Sequence, residues 1–166
     1  MAKLDSQRLV FGAFLMIPII LIEVVLGHLK LPAWPAFLAM IMFFVEHMNP
    51  KKVTEIIVGG VVGIACLILA GIIIKLLAPI VGLELARLLF IVAIVYVIVA
   101  FGEMVPVVFN NYLFLYLTVA GVAAMAGNPQ PLVWMGIAAV GGGALIASVV
   151  GIGRLMMVMA AAKAAK

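Results

Sequence analysis

The chain repeats its rarest residues at an interval of 79 positions. Only 10% of its 166 residues are charged whereas 69% are hydrophobic, so a coincidence of charged residues or Asn-Pro pairs means more than an apolar match. Three such marks coincide: Arg8 with Arg87, Asn49-Pro50 with Asn128-Pro129, and Lys75 with Arg154. The interval predicts two related halves, residues 8–76 and 87–155, within a single transmembrane domain of residues 1–166.

The apolar runs in both halves are long enough to require a membrane. The mean hydropathy is +1.45, and a water-soluble domain of this size cannot cover so much apolar surface with so few charges. A helix needs about 20 apolar residues to cross a ~30 Å hydrocarbon core. Six hydrophobic segments are predicted as helices, with approximate bounds Leu9–Leu26, Pro35–His47, Val53–Ile74, Arg87–Phe101, Val105–Met125 and Leu132–Arg154. The sequence therefore predicts an all-α integral membrane protein made of two three-helix repeats.

The second and fifth segments differ from a simple membrane span. The second has 13 residues, which make about 20 Å of helix, less than the thickness of the hydrocarbon core. The fifth carries Asn110-Asn111 shortly after Pro106. Short or interrupted segments at corresponding positions of two halves point to a transport site. Both segments are expected either to span or to be re-entrant or broken, and the sequence leaves these alternatives open.

The distribution of Lys and Arg predicts the orientation in the membrane. If all six segments span, three helices per half insert the second half upside down, which makes an inverted-topology repeat. The basic residues then divide seven to three between the two sides, with Lys3, Arg8, Lys51, Lys52, Arg154, Lys163 and Lys166 facing Lys30, Lys75 and Arg87. The majority predicts that both termini are cytoplasmic. If the second and fifth segments are re-entrant, Lys75 and Arg87 change sides with Lys51 and Lys52, and the ratio of basic residues is again seven to three. The charge rule therefore does not distinguish the two topologies.

Glycines in the third and sixth segments indicate close helix packing. Gly59 and Gly63 form a small-x-x-x-small face, which lets helix backbones approach each other. Gly63 aligns with Gly142 at the repeat interval, so the third and sixth helices are expected to cross on the pseudo-symmetry axis. The alternative is that these glycines face lipid, because glycine is also common on the lipid-facing surface of membrane helices.

Polar residues in the apolar segments are the candidates for a substrate path. They are Asn110, Asn111, Glu23, Glu103, Tyr112 and Tyr116. An amide pair beside tyrosines suits an uncharged polar solute, a break in the helix, or hydrogen bonds between helices. A carboxylate at membrane depth is costly unless it is neutralised or wetted. Glu23 and Glu103 are therefore expected either to face a cavity or to lie at the membrane interface.

Other functional classes lack the residues to support them. No Ser-His-Asp set, metal-ligand spacing or glycine-rich phosphate loop occurs in the sequence, and the single cysteine, Cys66, provides no internal disulfide. We therefore expect no enzyme, cofactor or metal site. The net charge of +4 is spread over segment ends, which is typical of contacts with lipid headgroups and not of nucleic-acid binding. The expected partners are the lipid bilayer and further copies of the chain, because six helices with glycine-rich faces make a thin bundle.

A family resemblance rests on two stretches, "LPAWPAFLAMIMFFVEHMNP" and "AGVAAMAGNPQPLVWMG". With Trp34, Phe37, Phe44 and the Ala126-Gly127 end of the fifth segment, the layout resembles the YcdZ-like family of small bacterial inner-membrane proteins. The resemblance covers about residues 9–155. It implies a bacterial or archaeal plasma membrane protein and no particular activity. The chain departs from the family by carrying an Asn pair in its fifth segment where small residues are expected.

Two functions fit this sequence. The first is a small membrane channel or transporter for a small neutral solute or a weak acid, with its site between the two pseudo-symmetric repeats. The mostly apolar lining could not offset the desolvation of a multivalent ion. The second is a non-transporting accessory subunit that packs against a larger complex or lipids through its glycine faces. The repeat favours the first, because an accessory subunit has little need of one.

Overall fold

The computed structural model describes residues 6–164. Helices account for nearly all of this range, and no strand occurs within it. The helices are α1 (Ser6–His28), α2 (Trp34–Val45), α3 (Val53–Val81), α4 (Leu83–Phe101), α5 (Asn111–Met125), α6 (Pro131–Gly136) and α7 (Gly142–Ala164). A 3₁₀ turn (Pro50–Lys52) precedes α3, and a π-helical turn (Ile137–Gly141) joins α6 to α7. The last two helices therefore form one long helix, α6–α7.

Four helical stretches are long and apolar enough to cross a membrane. They are Gln7–His28, Pro50–Val81, Leu83–Phe101 and Pro131–Ala162. Helices α2 and α5 are also apolar but have only 12 and 15 residues, which make about 18 and 23 Å of helix. The protein is thus all-helical over residues 6–164, with four helices that can span a bilayer. The two short helices fall in the second and fifth predicted segments.

Both Asn-Pro pairs lie in turns that separate helices. The backbone of Asn49 is extended, and its side-chain oxygen accepts a hydrogen bond of 3.1 Å from the backbone N–H of Lys51. Asn128 has φ 48° and the preceding Gly127 has φ 101°, a left-handed conformation that Gly and Asn adopt more readily than other residues. Neither conformation is right-handed helical, which agrees with the restriction that proline imposes on the residue before it.

The third helix is longer than the sequence predicts. It continues to Val81 instead of ending near Ile74, and Pro79 lies within it. Lys75 does not interrupt the helix, because a lysine near a helix end can reach polar surroundings with its long side chain. The helix ends at Gly82, where φ is 85°, a value that glycine adopts without steric cost.

The fifth helix begins later than the sequence predicts. Residues 102–109 form successive turns and bends, and Pro106 among them lacks the backbone N–H that a continuous helix requires. The helix starts at Asn111, with Asn110 as its N-terminal cap, and not near Val105. The Asn pair therefore stands at the start of α5 and not within it.

Helix α2 runs parallel to α6–α7. Trp34 and Trp134, at the starts of α2 and α6, have ring centroids 5.4 Å apart. Further along both helices, Ala39 lies against Gly142. Because the first residues of α2 and α6 are in contact and later residues of both helices are also in contact, α2 and α6–α7 point in the same direction.

Helix α3 crosses α6–α7 in the opposite direction. The side chain of Ile57, near the start of α3, lies beside Gly142. Ile64, two turns later, shares an apolar cluster with Trp134 at the start of α6. Later residues of α3 thus meet earlier residues of α6–α7, so the two long helices are antiparallel.

Helix α5 runs parallel to α3. The side chain of Asn110, at the start of α5, donates a hydrogen bond to the carbonyl oxygen of Glu55 at the start of α3. Near the other ends, Met125 and Ile74 line one groove. Each short helix is therefore parallel to the long helix on which it packs.

The six segments form two bundles that do not coincide with the two halves of the sequence. Helices α1 and α2 pack on α7, while α4 and α5 pack on α3. We call α1, α2 and α6–α7 the terminal bundle, and α3, α4 and α5 the central bundle. The long helix of each half thus packs with the first two helices of the other half. The bundles meet where α3 contacts α6–α7 and α2.

Candidate functional site

Each of the two long helices, α3 and α6–α7, has a glycine against which a short helix packs through a similar pair of atoms. A Cβ atom built on Gly63 would overlap the carbonyl oxygen of Leu113 and lie 2.9 Å from the Cβ atom of Tyr116. A Cβ atom built on Gly142 would lie 3.8 Å from the carbonyl oxygen of Ala36 and 2.7 Å from the Cβ atom of Ala39. In both bundles the glycine therefore faces one carbonyl oxygen and the Cβ atom three residues later.

The other glycines of α3 accommodate polar and aromatic side chains of α5. Gly59 lies directly against the side-chain amide of Asn110. A Cβ atom on Gly60 would lie 2.7 Å from the ring of Tyr116. The predicted packing residues Gly59 and Gly63 are thus buried against α5. Gly142 is buried against α2, and α3 reaches it only with a side chain, so these glycines pack short helices onto long ones.

The side chain of Asn110 holds the start of α5 in place. Its oxygen accepts a hydrogen bond of 3.0 Å from the backbone N–H of Leu113. Its nitrogen lies 2.8 Å from the carbonyl oxygen of Pro106, 3.2 Å from that of Val107 and 3.3 Å from that of Glu55. One amide thereby caps α5, closes the preceding turn and ties both to α3. Asn111 is exposed and lies in a shallow groove beside α4.

Replacing Asn110 with leucine is expected to destabilise the protein, whereas the same change at Asn111 is not. Asn110→Leu removes a helix cap worth about 1 kcal/mol and the side-chain hydrogen bond to the carbonyl oxygen of Glu55, which is worth about 0.5–1.5 kcal/mol. Leucine at exposed Asn111 should change stability by less than about 0.5 kcal/mol. Thermal unfolding in detergent, followed by the loss of the monodisperse gel-filtration peak, measures the difference. Equal shifts for the two variants would contradict the structural role of Asn110.

Two tyrosines of α5 join the central bundle to the terminal bundle. The hydroxyl of Tyr112 donates a hydrogen bond to Oε1 of Glu46, just after α2. The hydroxyl of Tyr116 donates a hydrogen bond of 2.8 Å to the carbonyl oxygen of Pro35, at the start of α2. Residues four apart lie on the same face of a helix, so both hydroxyls reach α2, one near each of its ends.

One end of the bundle interface is polar. Glu46 and Glu55 both lie near the Tyr112 hydroxyl at this end. Nζ of Lys52 forms an ion pair of 2.7 Å with Oε2 of Glu55, and these side chains are 38% and 21% exposed. Asn110 bonds to the backbone of the same turn of α3. Carboxylate, phenol and amide groups are therefore concentrated where α2 ends and where α3 and α5 begin.

The opposite end of the interface is aromatic. The ring of Trp34 lies edge-on to Trp134 and 6.4 Å from the ring of Tyr116. Tyr116 is fully buried, and Ile64 and Ala138 complete the cluster around it. This end of the interface is thus closed by side chains from both bundles.

The remaining candidates from the sequence lie away from this interface. Glu23 is exposed on α1, and Glu103 is exposed in the turn that follows α4. Of the six substrate-path candidates, the structure places three in contacts between helices near the start of α5. The side chain of Asn110 bonds to α3, and the hydroxyls of Tyr112 and Tyr116 bond to Glu46 and Pro35 at the two ends of α2. Glu23, Glu103 and Asn111 make none of these contacts.

Sequence reasoning missed several residues of this interface. Glu46 reads as a solvated helix end, Trp34 as a membrane-interface anchor and Glu55 as a helix-start acid. The four-residue spacing of Tyr112 and Tyr116 is a signal that two hydroxyls share one partner helix. Which helix that is depends on tertiary packing, so Glu46 could not be identified from its own surroundings in the sequence.

Within residues 6–164 no group of three or more His, Cys, Asp or Glu side chains is placed to hold a metal ion. Compared with protein families, curated proteins and solved structures, the chain has no significant match.

Proposed function

We propose that the protein is a small membrane channel or transporter for a small neutral solute or a weak acid. It is built from two inverted three-helix repeats, and its solute path runs between the terminal and central bundles. Plasma-membrane location with cytoplasmic termini, membership of the YcdZ-like family and assembly with further copies of the chain belong to the same proposal.

The observation that carries the proposal is that α5 packs on Gly63 and α2 packs on Gly142 through corresponding residues. Gly142 follows Gly63 by 142 − 63 = 79 residues. The atoms that face them come from residues separated by 113 − 36 = 77 and 116 − 39 = 77 positions. The first residues of α5 and α2 are also 111 − 34 = 77 apart. A nearly constant offset in contacts as well as in sequence supports a two-fold relation between the bundles.

The helix directions support an inverted relation and not a parallel one. A two-fold axis that exchanges antiparallel α3 and α6–α7 is perpendicular to both helices, and thus lies in the plane of the membrane when they span it. Because α2 runs parallel to α6–α7, its end points to the side where α7 ends. This direction favours α2 and α5 as short crossing helices over re-entrant ones.

The groups at the interface suit a solute without a full permanent charge. Lys52 is neutralised by Glu55, which leaves the amide of Asn110, the phenol of Tyr112 and the carboxylate of Glu46. Such groups exchange hydrogen bonds with a small neutral molecule or a protonated acid. They cannot replace the hydration shell of a multivalent ion, whose transfer into an apolar path costs far more.

Passage requires the bundles to separate at Tyr116. This side chain is fully buried and its hydroxyl is bonded to Pro35 of the other bundle. Short helices of opposite bundles that meet at the centre of an inverted repeat can open one side at a time by rigid movement of one bundle against the other. The hydrogen bonds of Tyr112 and Tyr116 are then the contacts that open.

Flux into proteoliposomes tests the proposal. Stopped-flow light scattering with urea, glycerol and formamide, and an internal pH indicator with acetate and formate, should reveal at least one solute that enters faster than into empty vesicles. The rate should rise with the amount of protein per vesicle, as it must for a path through the protein. If none of these solutes crosses faster with the wild-type protein, the transport proposal fails and the accessory-subunit alternative becomes the better one.

A further inference from the structure

A lipid-facing groove lies between the three helices of the central bundle. It has a volume of ≈ 510 Å³ and is lined by residues of α3, α4 and α5. Ala70, Gly71, Ile74, Phe90 and Gly121 make most of the groove apolar. It lies on the outside of the bundle, away from the interface with the terminal bundle.

Two glycines leave the groove open. A Cβ atom built on Gly71 or on Gly121 would meet no other atom within 4 Å. These glycines therefore do not serve close helix packing, unlike Gly63, which is eight residues before Gly71 on α3. An apolar groove of this kind in a membrane helix bundle is accessible to acyl chains, which are the apolar molecules around it.

A guanidinium group marks one end of the groove. Arg87 is among its lining residues, together with Ile74, and Lys75 follows directly. Nη1 of Arg87 lies 3.3 Å from Oε1 of Glu84, but these side chains are 54% and 88% exposed. Such an exposed pair contributes little stability. The guanidinium has five N–H donors, so most of them are available to another acceptor.

We propose that this groove binds an anionic phospholipid, with an acyl chain between α3, α4 and α5 and the phosphate on Arg87. Arginine binds phosphate oxygens with parallel hydrogen bonds, and basic pockets between membrane helices select anionic headgroups. The groove therefore selects a lipid with an anionic headgroup, which binds at the Arg87 end, and with an acyl chain, which lies along the apolar remainder of the groove. This site is independent of the proposed solute path.

A second groove supplies the comparison within the same chain. It lies between α1 and α7, has a volume of ≈ 390 Å³ and is lined by Gly151 and Ser148 but by no charged residue. A Cβ atom on Gly151 would also meet nothing within 4 Å. It offers an acyl chain a place without a headgroup partner, so it should not distinguish anionic from zwitterionic lipids.

Native mass spectrometry of lipids retained by the whole protein tests the site. The protein is equilibrated with equal amounts of phosphatidylglycerol and phosphatidylcholine and then extracted in mild detergent. The wild type should retain phosphatidylglycerol preferentially, and Arg87→Gln should lower that preference about fivefold or more. Gly121→Leu, which fills the groove, should reduce retention, while Glu84→Gln should increase it by freeing the guanidinium.

Gly151→Leu and Lys30→Gln are the matched controls, because they fill the uncharged groove and remove an exposed charge elsewhere. Both should retain the wild-type preference. A wild type without preference for phosphatidylglycerol overturns the proposal. The proposal is also overturned if the preference for phosphatidylglycerol falls equally in Arg87→Gln and Lys30→Gln, because binding would then depend on the total charge of the protein. It is likewise overturned if retention falls equally in Gly121→Leu and Gly151→Leu, because lipid would then bind by general contact with the bundle.

Discussion

Leucine in place of Gly63 or Gly142 is expected to prevent the bundles from assembling. At Gly63 the new side chain would overlap the backbone of α5, and at Gly142 its Cβ atom would lie 2.7 Å from that of Ala39. The backbone fixes the position of a carbonyl oxygen and of an alanine Cβ atom, so neither can rotate away as the far end of a flexible side chain can. Each change should therefore cost about 3 kcal/mol or more, at the upper end of overpacking in a well-packed interior.

Matched controls for these variants lie on the same two helices. Gly71→Leu on α3 and Gly151→Leu on α7 add the same side chain where no atom lies within 4 Å of the new Cβ. The midpoint temperature of thermal unfolding and the yield of monodisperse protein in mild detergent should fall sharply for the variants at Gly63 and Gly142. Both quantities should remain close to wild type for the variants at Gly71 and Gly151. If all four variants unfold alike, close contact at Gly63 and Gly142 does not determine the stability of the bundles.

Removing both tyrosine hydroxyls from the bundle interface is expected to increase solute flux about a hundredfold. The hydrogen bond of Tyr116 to a neutral carbonyl contributes about 1 kcal/mol and that of Tyr112 to a carboxylate about 1.5–3 kcal/mol, so Tyr112→Phe and Tyr116→Phe together weaken the closed state by about 3 kcal/mol. If the protein is closed most of the time, this energy raises the open fraction, and with it the flux, about a hundredfold. Phenylalanine keeps the ring, so the apolar packing around Tyr116 is preserved.

Tyr96→Phe is the control, because Tyr96 is 71% exposed on α4. Its flux should equal that of the wild type, and each single interface variant should fall between the wild type and the double variant. The assay uses whichever solute the wild type conducts, at equal protein per vesicle. A double variant with unchanged flux would show that the two hydroxyls do not hold the closed state.

The membrane character and the main helix divisions were predictable from the sequence because they depend on local properties. Runs of apolar residues define the four long helices, and proline restricts Asn49 and Asn128 wherever they occur in a chain. The end of α3 was less accessible. Lys75 resembles the end of a span, but Gly82 ends the helix because its φ of 85° suits glycine.

The partners of the site residues were not predictable, because they depend on contacts between distant segments. Asn110 and Glu55 are 55 residues apart, and Tyr116 and Pro35 are 81 apart. The apolar patterns of α3 and α5 fit many pairings equally well in lipid, where burial of apolar surface does not select a partner. Close contact at Gly59 and Gly63 selects it instead.

The π-helical turn Ile137–Gly141 is a departure from the two-fold relation proposed for the two bundles. The corresponding part of α3 lies within one uninterrupted α-helix, and a π-turn places an extra residue in the helical circuit. With perfect equivalence, a conformation open to one side of the membrane and its two-fold-related counterpart would have the same free energy. A turn in only one of the two long helices makes these energies unequal, so the proposed transporter would open more often to one side of the membrane than to the other.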